Sequence, residues 1–348
     1  MHKTILLEHV QQLPQPIYID MRSPAEFSTG HIIGAINIPI FSNEERAEVG
    51  TLYKQVGVEQ AKELGLRIAS GKLPHIVTQI RDLYKTGRPV IVYCWRGGMR
   101  SKSIVTILNL MGVQVSQLLG GYKAYRRHVL DSLLNFKINP QIIVLCGSTG
   151  VGKTSLLQLL ENKGIPIIDL EKLANHRGSV FGQVGLGESV TAQCFDTAIL
   201  KELNNLNDQP YIVVECESKR IGNVYLPDCL YQAMQSGTQI LLHTDIETRI
   251  SRLIAEYTNL DETNTNAITV SLKALSKRFS AKKMDELLLN FSQGKIRNVV
   301  RTLLVDYYDS LYGYEKSDQR NYKATINCDD LELASLQIIN YLEELYKN

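Results

Sequence analysis

The chain has 348 residues, long enough for two ordinary domains, and 44% apolar with 21% charged residues is a globular balance. Its formal net charge is +2, so bulk charge marks neither a nucleic-acid binder nor a membrane-surface protein, and any basic patch must be local. The six cysteines (Cys94, Cys146, Cys194, Cys216, Cys229 and Cys328) contain no C-x-x-C pair, which argues against a zinc site and against a disulfide scaffold.

Taken in chain order, MHKTILLEHVQQLPQP lacks the apolar stretch of a signal peptide, and no later run approaches the length of a bilayer span. A reducing cytoplasm is therefore the expected location, with no membrane partner, and Cys94 is expected to remain a free thiol. Residues 17–21 read as a strand, 34–39 as a short strand ending at proline, and 74–86 as a helix. The run 90–94 reads as a buried strand, 101–112 as the helix after it, 115–118 as a last short strand, and 123–136 as a linking helix. The pattern then restarts. Strands are expected at 141–147, 165–171, 210–218 and 239–245, a helix at 154–164, and mostly helical, polar chain from about 246 onward. Apolar runs alternating with helices imply an α/β fold with mainly parallel sheets. The domain boundary is placed near residue 130, giving domains 1–130 and 131–348.

The segment CWRGGMRS (94–101) sets a cysteine at the end of a strand, then glycines, then an arginine and a serine. A thiol attacks as thiolate, a form favoured beside a helix N-terminus or a cation. Gly97 and Gly98 permit the backbone to turn its amides inward, with Trp95, Arg96 and Met99 completing the loop. Arg100 is placed to face an oxyanion at the Cys94 sulfur, and Ser101 to cap the following helix. The bland alternative, a cysteine serving as a small buried hydrophobe, leaves the glycines and the arginine without a purpose.

Upstream, IDMRSPAEFSTGHIIGAINIP (19–39) carries Asp20, Arg22, Glu26, Gly30, His31, Gly34, Ala35, Asn37 and Pro39 at fixed spacing. With CWRGGMRS and LLGGYKAYRR (118–127), it closely resembles the rhodanese family, which passes sulfur through a persulfide on the loop cysteine. In that family the upstream signature mainly ties the sheet to its loops, so Asp20, Arg22 and His31 are expected to be structural. One departure matters. Many single-domain rhodaneses have the shorter C-x4-R loop, whereas C-x5-R here is the spacing of cysteine phosphatases and leaves room for a tetrahedral oxyanion. Two readings stay open at this point: a chalcogen transferase whose donor carries phosphate, and a phosphatase.

GSTGVGKT (147–154) fits G-x-x-x-x-G-K-[ST] and lies between an expected strand and an expected helix. Amides from Gly147, Ser148, Thr149, Gly150, Val151 and Gly152 through to Thr154 would cradle phosphates at the helix N-terminus. Lys153 adds a point charge, and Thr154 suits Mg²⁺, the expected cofactor. Asp169 and Glu215, at the ends of apolar runs, are candidates to orient the metal, and each could equally be an ordinary strand-end residue. The following stretch LANHRGSVFGQVGLGES (173–189) is too glycine-rich for an ordinary helix. It reads either as a surface loop or as a substrate loop that brings Arg177 to a phosphate.

Between Leu272 and Arg301 stand eight Lys or Arg and two acids, a local balance of +6. Lys273, Lys277, Arg278, Lys282, Lys283, Arg297 and Arg301 are candidate RNA contacts, with Tyr307, Tyr308, Tyr312 and Tyr314 as possible stacking partners. The alternative is a solvated helix surface.

A rhodanese-like domain followed by a phosphate-loop domain resembles the tRNA 2-selenouridine synthase family over nearly the whole chain. The segments that carry the likeness are CWRGGMRSKS, GGYKAYRR, GSTGVGKT, DLEKLANHRGSVFG and VECESKRIGN. The resemblance implies a transferase whose partner is tRNA carrying wobble 2-thiouridine. It implies S-geranylation from geranyl diphosphate, then replacement of the geranylthio group with selenium from selenophosphate, with Cys94 in the selenium step. On this reading Cys94 takes selenium from the donor and releases phosphate, while Lys153 and Mg²⁺ stabilise the departing diphosphate. The alternative is a sulfurtransferase coupled to an ATP-dependent RNA or small-molecule kinase.

Overall fold

The computed structural model describes residues 3–257, 262–312 and 322–346. The chain divides into two compact units, Met1–Leu133 and Leu134–Asn348. In the first unit the strands are β1 (Thr4–Ile5), β2 (Ile17–Asp20), β3 (Ile36–Asn37), β4 (Val90–Tyr93) and β5 (Ser116–Leu118). They form one sheet in the order β1-β5-β4-β2-β3, and every pairing is parallel. A parallel sheet is covered on both faces, so its central strand is apolar throughout, and all four residues of β4 are buried. β4 lies between β2 and β5, and its C-terminal end delivers Cys94 to the sheet edge where parallel α/β folds place their ligands.

The helix expected at 74–86 starts much earlier. It runs Val58–Tyr84 and passes through Pro74. The proline removes one amide donor, yet Ile76, Val77 and Ile80 bury their side chains against the sheet, and this packing outweighs the local penalty.

The second unit has β6 (Gln141–Cys146), β7 (Ile167–Ile168), β8 (Tyr211–Glu215), β9 (Arg220–Ile221), β10 (Val224–Tyr225), β11 (Thr238–His243) and β12 (Ala324–Asn327). Five of them form an all-parallel sheet in the order β12-β11-β6-β8-β7, and β9 and β10 pair as an antiparallel ribbon. The strand expected over 165–171 shrinks to the two residues of β7. Asp169 caps a short helix, Leu170–Ala174, and so ends the strand.

The helical C-terminal region includes the helices Ile246–Tyr257, Glu262–Ala274, Ala281–Ser292 and Ile296–Leu303, which share an apolar cluster of their own. The region also holds what periodicity did not mark, the edge strand β12. The closing helix Leu331–Tyr346 buries Ile338 and Leu342 completely in the sheet's core cluster. The fold is thus α/β in both units, a rhodanese-like sheet followed by a phosphate-loop sheet with helical additions. No described helix is long and apolar enough to cross a membrane.

Candidate active sites

The first site is built around Cys94, which is 3% exposed. Its Sγ accepts hydrogen bonds from the Gly98 amide and the Ser101 hydroxyl, each at 3.2 Å. Gly98 is the N-cap of the helix Met99–Leu110, so the sulfur meets the positive end of that helix. Ser101 does not cap the helix as the sequence suggested. It lies inside the first turn, where its hydroxyl faces the sulfur and accepts from Gln117 Nε2 at 2.7 Å. Gln117 also donates to the Gly97 carbonyl at 2.8 Å, and so ties β5 to the loop.

The loop needs its glycines. Gly97 has φ of +64°, and a Cβ there would stand 2.9 Å from the Leu118 carbonyl oxygen. Gly121 has φ of +58°, and a Cβ there would stand 2.2 Å from the Cys94 carbonyl oxygen and 2.5 Å from the Gly97 amide. The GGYK segment is therefore the back wall of the cysteine loop. It donates from the Tyr122 and Lys123 amides to the carbonyls of Cys94 and Trp95, both at 2.9 Å. On the rim, Trp95, Arg96 and Met99 are exposed.

Arg100 is not left facing the sulfur alone. Its guanidinium forks the Glu26 carboxylate at 2.5 and 3.2 Å. Burial pushes Glu26 up, but the Arg100 bond and charge, helped by the Ser23 amide, outweigh it and hold the carboxyl below the usual range. The remaining signature residues are scaffolding. Asp20 and Arg22 form a buried pair at 2.7 Å, with Arg22 over the Tyr122 ring at 4.0 Å and donating to the Gly30 carbonyl at 2.6 Å. His31 stacks on Phe27 and bonds its carbonyl through Nδ1.

The second site lies at the end of β6. Gly147 through Gly152 form the loop, and Lys153 begins the helix Lys153–Asn162. Lys153 Nζ donates to the Gly147 carbonyl at 2.9 Å. Val151 is buried, and its amide closes a turn onto the Ser148 carbonyl. Two arginines of the helix Ile246–Tyr257 hold the loop's carbonyls. Arg249 Nε donates to Thr149 and Arg252 Nη1 to Val151.

The carboxylates are arranged differently from the expectation. Asp169 accepts from the Lys172 amide as a helix cap, and burial raises its pKa. Glu215 is 1% exposed. Its Oε1 accepts from the Glu171 amide, while its Oε2 is buried without a partner. The carboxylate that reaches Thr154 is Glu171, whose Oε2 accepts from the hydroxyl at 2.9 Å. Burial raises Glu171, against the opposing pull of Lys153 and Thr154. Glu217 lines the same cleft and is pushed up to about 8, first by burial and then by the Glu171 charge.

Sequence reasoning missed Glu171, Glu217, Arg249 and Arg252. The first two were legible as acids at alternate positions beside Asp169 and Glu215. The arginines carried no signal, because the helix that bears them is joined to the loop only by the fold.

Arg177 does line the phosphate cleft, but it is held there by Glu256 at 2.5 Å and donates to the Val184 carbonyl at 2.7 Å. Its segment is more than a surface loop, because Phe181 and Val184 bury their side chains in the helical cluster. No set of three or more His, Cys, Asp or Glu among the described residues is arranged to hold a metal. Mg²⁺ needs only one or two carboxylates when phosphates supply the rest. Thr154 and Glu171 line the cleft and fit that requirement, whereas Glu215 lies beneath Glu171, holding its amide, and does not line the cleft.

The basic stretch is less positive than its sequence. Arg297 and Arg301 both pair with Glu247, and Lys283 pairs with Asp306 at 2.6 Å. Lys273, Lys277, Arg278 and Lys282 are exposed, with no ion pair to another described residue. Of the expected stacking tyrosines, Tyr307 and Tyr308 do not form an exposed platform. Tyr308 is 5% exposed inside the helical cluster, and Tyr307 packs edge-on against it at 4.9 Å. The Tyr312 side chain and Tyr314 lie outside the described residues.

A sheet presenting a cysteine on a helix N-terminus, followed by a phosphate-loop sheet, defines a rhodanese-like and P-loop two-unit protein. The rhodanese-like domain family matches residues 4–128, and the family described as tRNA 2-selenouridine synthase AAA domain matches residues 140–337. The tRNA 2-selenouridine synthase of Nitrosomonas eutropha is 37% identical, over 69% of this chain and 62% of that protein. That of Shewanella denitrificans is 32% identical, over 87% and 89%, and that of Pseudomonas syringae pv. syringae 32%, over 94% of each. The chain belongs to the tRNA 2-selenouridine synthase family.

Proposed function

We propose that the chain converts wobble 2-thiouridine of tRNA to 2-selenouridine in two transfers, the phosphate loop serving the first and Cys94 the second. In the first, the 2-thio sulfur attacks C1 of geranyl diphosphate, the C–O bond breaks and diphosphate leaves. The loop amides and Lys153 would take up the charge developing on that leaving group. Mg²⁺, held by Thr154 with Glu171, would add further neutralisation of the diphosphate.

In the second transfer, selenium forms a bond to C2 as the geranylthiolate departs. The electron count decides how Cys94 takes part. Attack of its thiolate on the selenium of selenophosphate would expel phosphorus at the phosphite level, so that step does not yield phosphate. Attack on phosphorus balances. An S–P bond forms, the P–Se bond breaks, hydroselenide is released for C2, and water later cleaves S–P to give phosphate. The C-x5-R spacing suits this route, because the loop then surrounds a tetrahedral phosphoryl group.

The observation that carries the reading is the pair of donors on Cys94 Sγ at the N-terminus of the helix Met99–Leu110. The test is incubation of the protein with 2-thiouridine tRNA, geranyl diphosphate and selenophosphate, followed by mass spectrometry of the nucleosides. The wild type is expected to give 2-selenouridine and Cys94→Ser to stop at the geranylated base. Selenouridine from Cys94→Ser, or no geranylated base from either protein, would overturn the proposal.

A further inference from the structure

The phosphate cleft does not end at the glycine loop. Thr149, Ser179, Leu253 and Tyr257 line it, and the same four residues line a second pocket that opens beside it. The second pocket is of opposite character. Its further walls come from the C-terminal helices, with Ile268 and Leu272 on one helix and Val300 and Leu303 on another, and from Phe181 of the 173–189 segment. Among the described residues that line it, only Thr149, Ser179, Tyr257 and Tyr308 carry a polar side-chain group. Its enclosed volume is about 90 Å³, small enough that a single added side chain would fill it.

A ligand that reaches from the one pocket into the other must be polyanionic at one end and hydrocarbon at the other. A nucleoside fits poorly. Its base edge would be buried against aliphatic side chains with almost nothing to bond, and each unpaired polar group is costly. A branched hydrocarbon chain bonds to nothing and gains from every methylene removed from water.

We propose that this pocket holds the hydrocarbon chain of a prenyl diphosphate whose head occupies the glycine loop, and that Ile268 and Val300 set the chain length accepted. The assignment rests on the reading of the phosphate loop given above and adds where the chain lies and which side chains select it.

The test is calorimetric titration of the full chain with geranyl diphosphate and with inorganic diphosphate, at several temperatures. The wild type is expected to bind geranyl diphosphate at least tenfold more tightly, with a more negative heat-capacity change, the marker of apolar burial. Val300→Trp fills the pocket. It is expected to remove that tenfold preference while inorganic diphosphate binds within twofold of wild type, which also shows that the variant folds. Ile268→Ala enlarges the pocket without crowding it, and is expected to shift preference toward the fifteen-carbon farnesyl diphosphate. Equal affinity of the wild type for geranyl and inorganic diphosphate would overturn the pocket and leave the phosphate loop standing. Unchanged chain preference in both variants would do the same. Binding of neither compound would remove the phosphate-loop reading, and this inference with it.

Discussion

Arg100 of the cysteine loop and Glu26 of the upstream signature form a forked ion pair across 74 residues of sequence, with oxygen–nitrogen distances of 2.5 and 3.2 Å. Glu26 also completes the capping box of the helix Pro24–Thr29 by accepting from the Ser23 amide. One carboxylate therefore fastens the signature segment and the loop arginine together.

The pair makes stability depend on pH in a defined direction. The folded-state pKa of Glu26 lies below its ordinary value of 4.5, so its contribution is present above that value and is lost as pH falls through the folded pKa. Both partners are partly exposed, and the contribution at pH 7 is expected to be about 1 kcal/mol. Thermal unfolding of wild type and Glu26→Gln should differ at pH 7 and converge as pH falls from 4.5 through the lowered folded-state pKa of Glu26. A difference that persists undiminished at low pH would remove the pair as its cause.

Gly121→Ala is expected to disable the sulfur site selectively. Its Cβ would overlap the Cys94 carbonyl and the Gly97 amide, both backbone atoms that cannot rotate away. Selenouridine formation should fall at least about 100-fold, as when a reacting group is displaced from its working geometry. Geranylated tRNA should still accumulate, read from the same nucleoside chromatogram. Unimpaired selenation would mean that the loop tolerates a shifted backbone.

At the phosphate loop, Lys153→Ala removes the point charge and Thr154→Ala the hydroxyl that Glu171 now engages. Lys153→Ala is expected to weaken binding of geranyl and inorganic diphosphate alike, by about tenfold or more, in line with a charge-assisted hydrogen bond of roughly 1.5–3 kcal/mol. If it abolishes ATP hydrolysis coupled to turnover but leaves geranyl diphosphate binding intact, the loop serves a nucleotide. Thr154→Ala should reduce the Mg²⁺ dependence of geranyl transfer, measured as rate against metal concentration.

Glu247 pairs with two arginines of the basic stretch, Arg297 and Arg301, and offsets one of their two charges. Glu247→Gln is expected to tighten tRNA binding and steepen its salt dependence. Lys277→Ala with Lys282→Ala should loosen binding and flatten the logarithmic salt slope by roughly 0.7–0.9 for each tRNA phosphate that is no longer neutralised. Filter binding across a salt series reads both effects. Unchanged slopes in both proteins would place the tRNA on another surface.

Much of this molecule was legible because local chemistry marks it. The buried run of β4 followed by CWRGGMRS, and that of β6 followed by GSTGVGKT, each announce a strand, a glycine turn and a helix N-terminus within a dozen or so residues. The strand expected at 165–171 failed for an equally local reason. Asp169 is a helix cap as well as an acid after an apolar run, and capping won. β12 escaped because four residues hold too little periodicity to stand out, and it pairs with β11, some eighty positions earlier.

The sequence by itself determined the two sheets, the thiol and phosphate loops, and the family to which they belong. These depend on spacings of a few residues and on turns that only glycine makes. Only the tertiary structure decided that Arg100 is bound to Glu26, that Glu171 reaches Thr154, that Arg297 and Arg301 share the Glu247 carboxylate, and that an apolar pocket opens beside the phosphate loop. Each of those pairs or walls joins side chains from separate elements. Their meeting is set by how helices and sheet pack, and no local pattern in the chain records it.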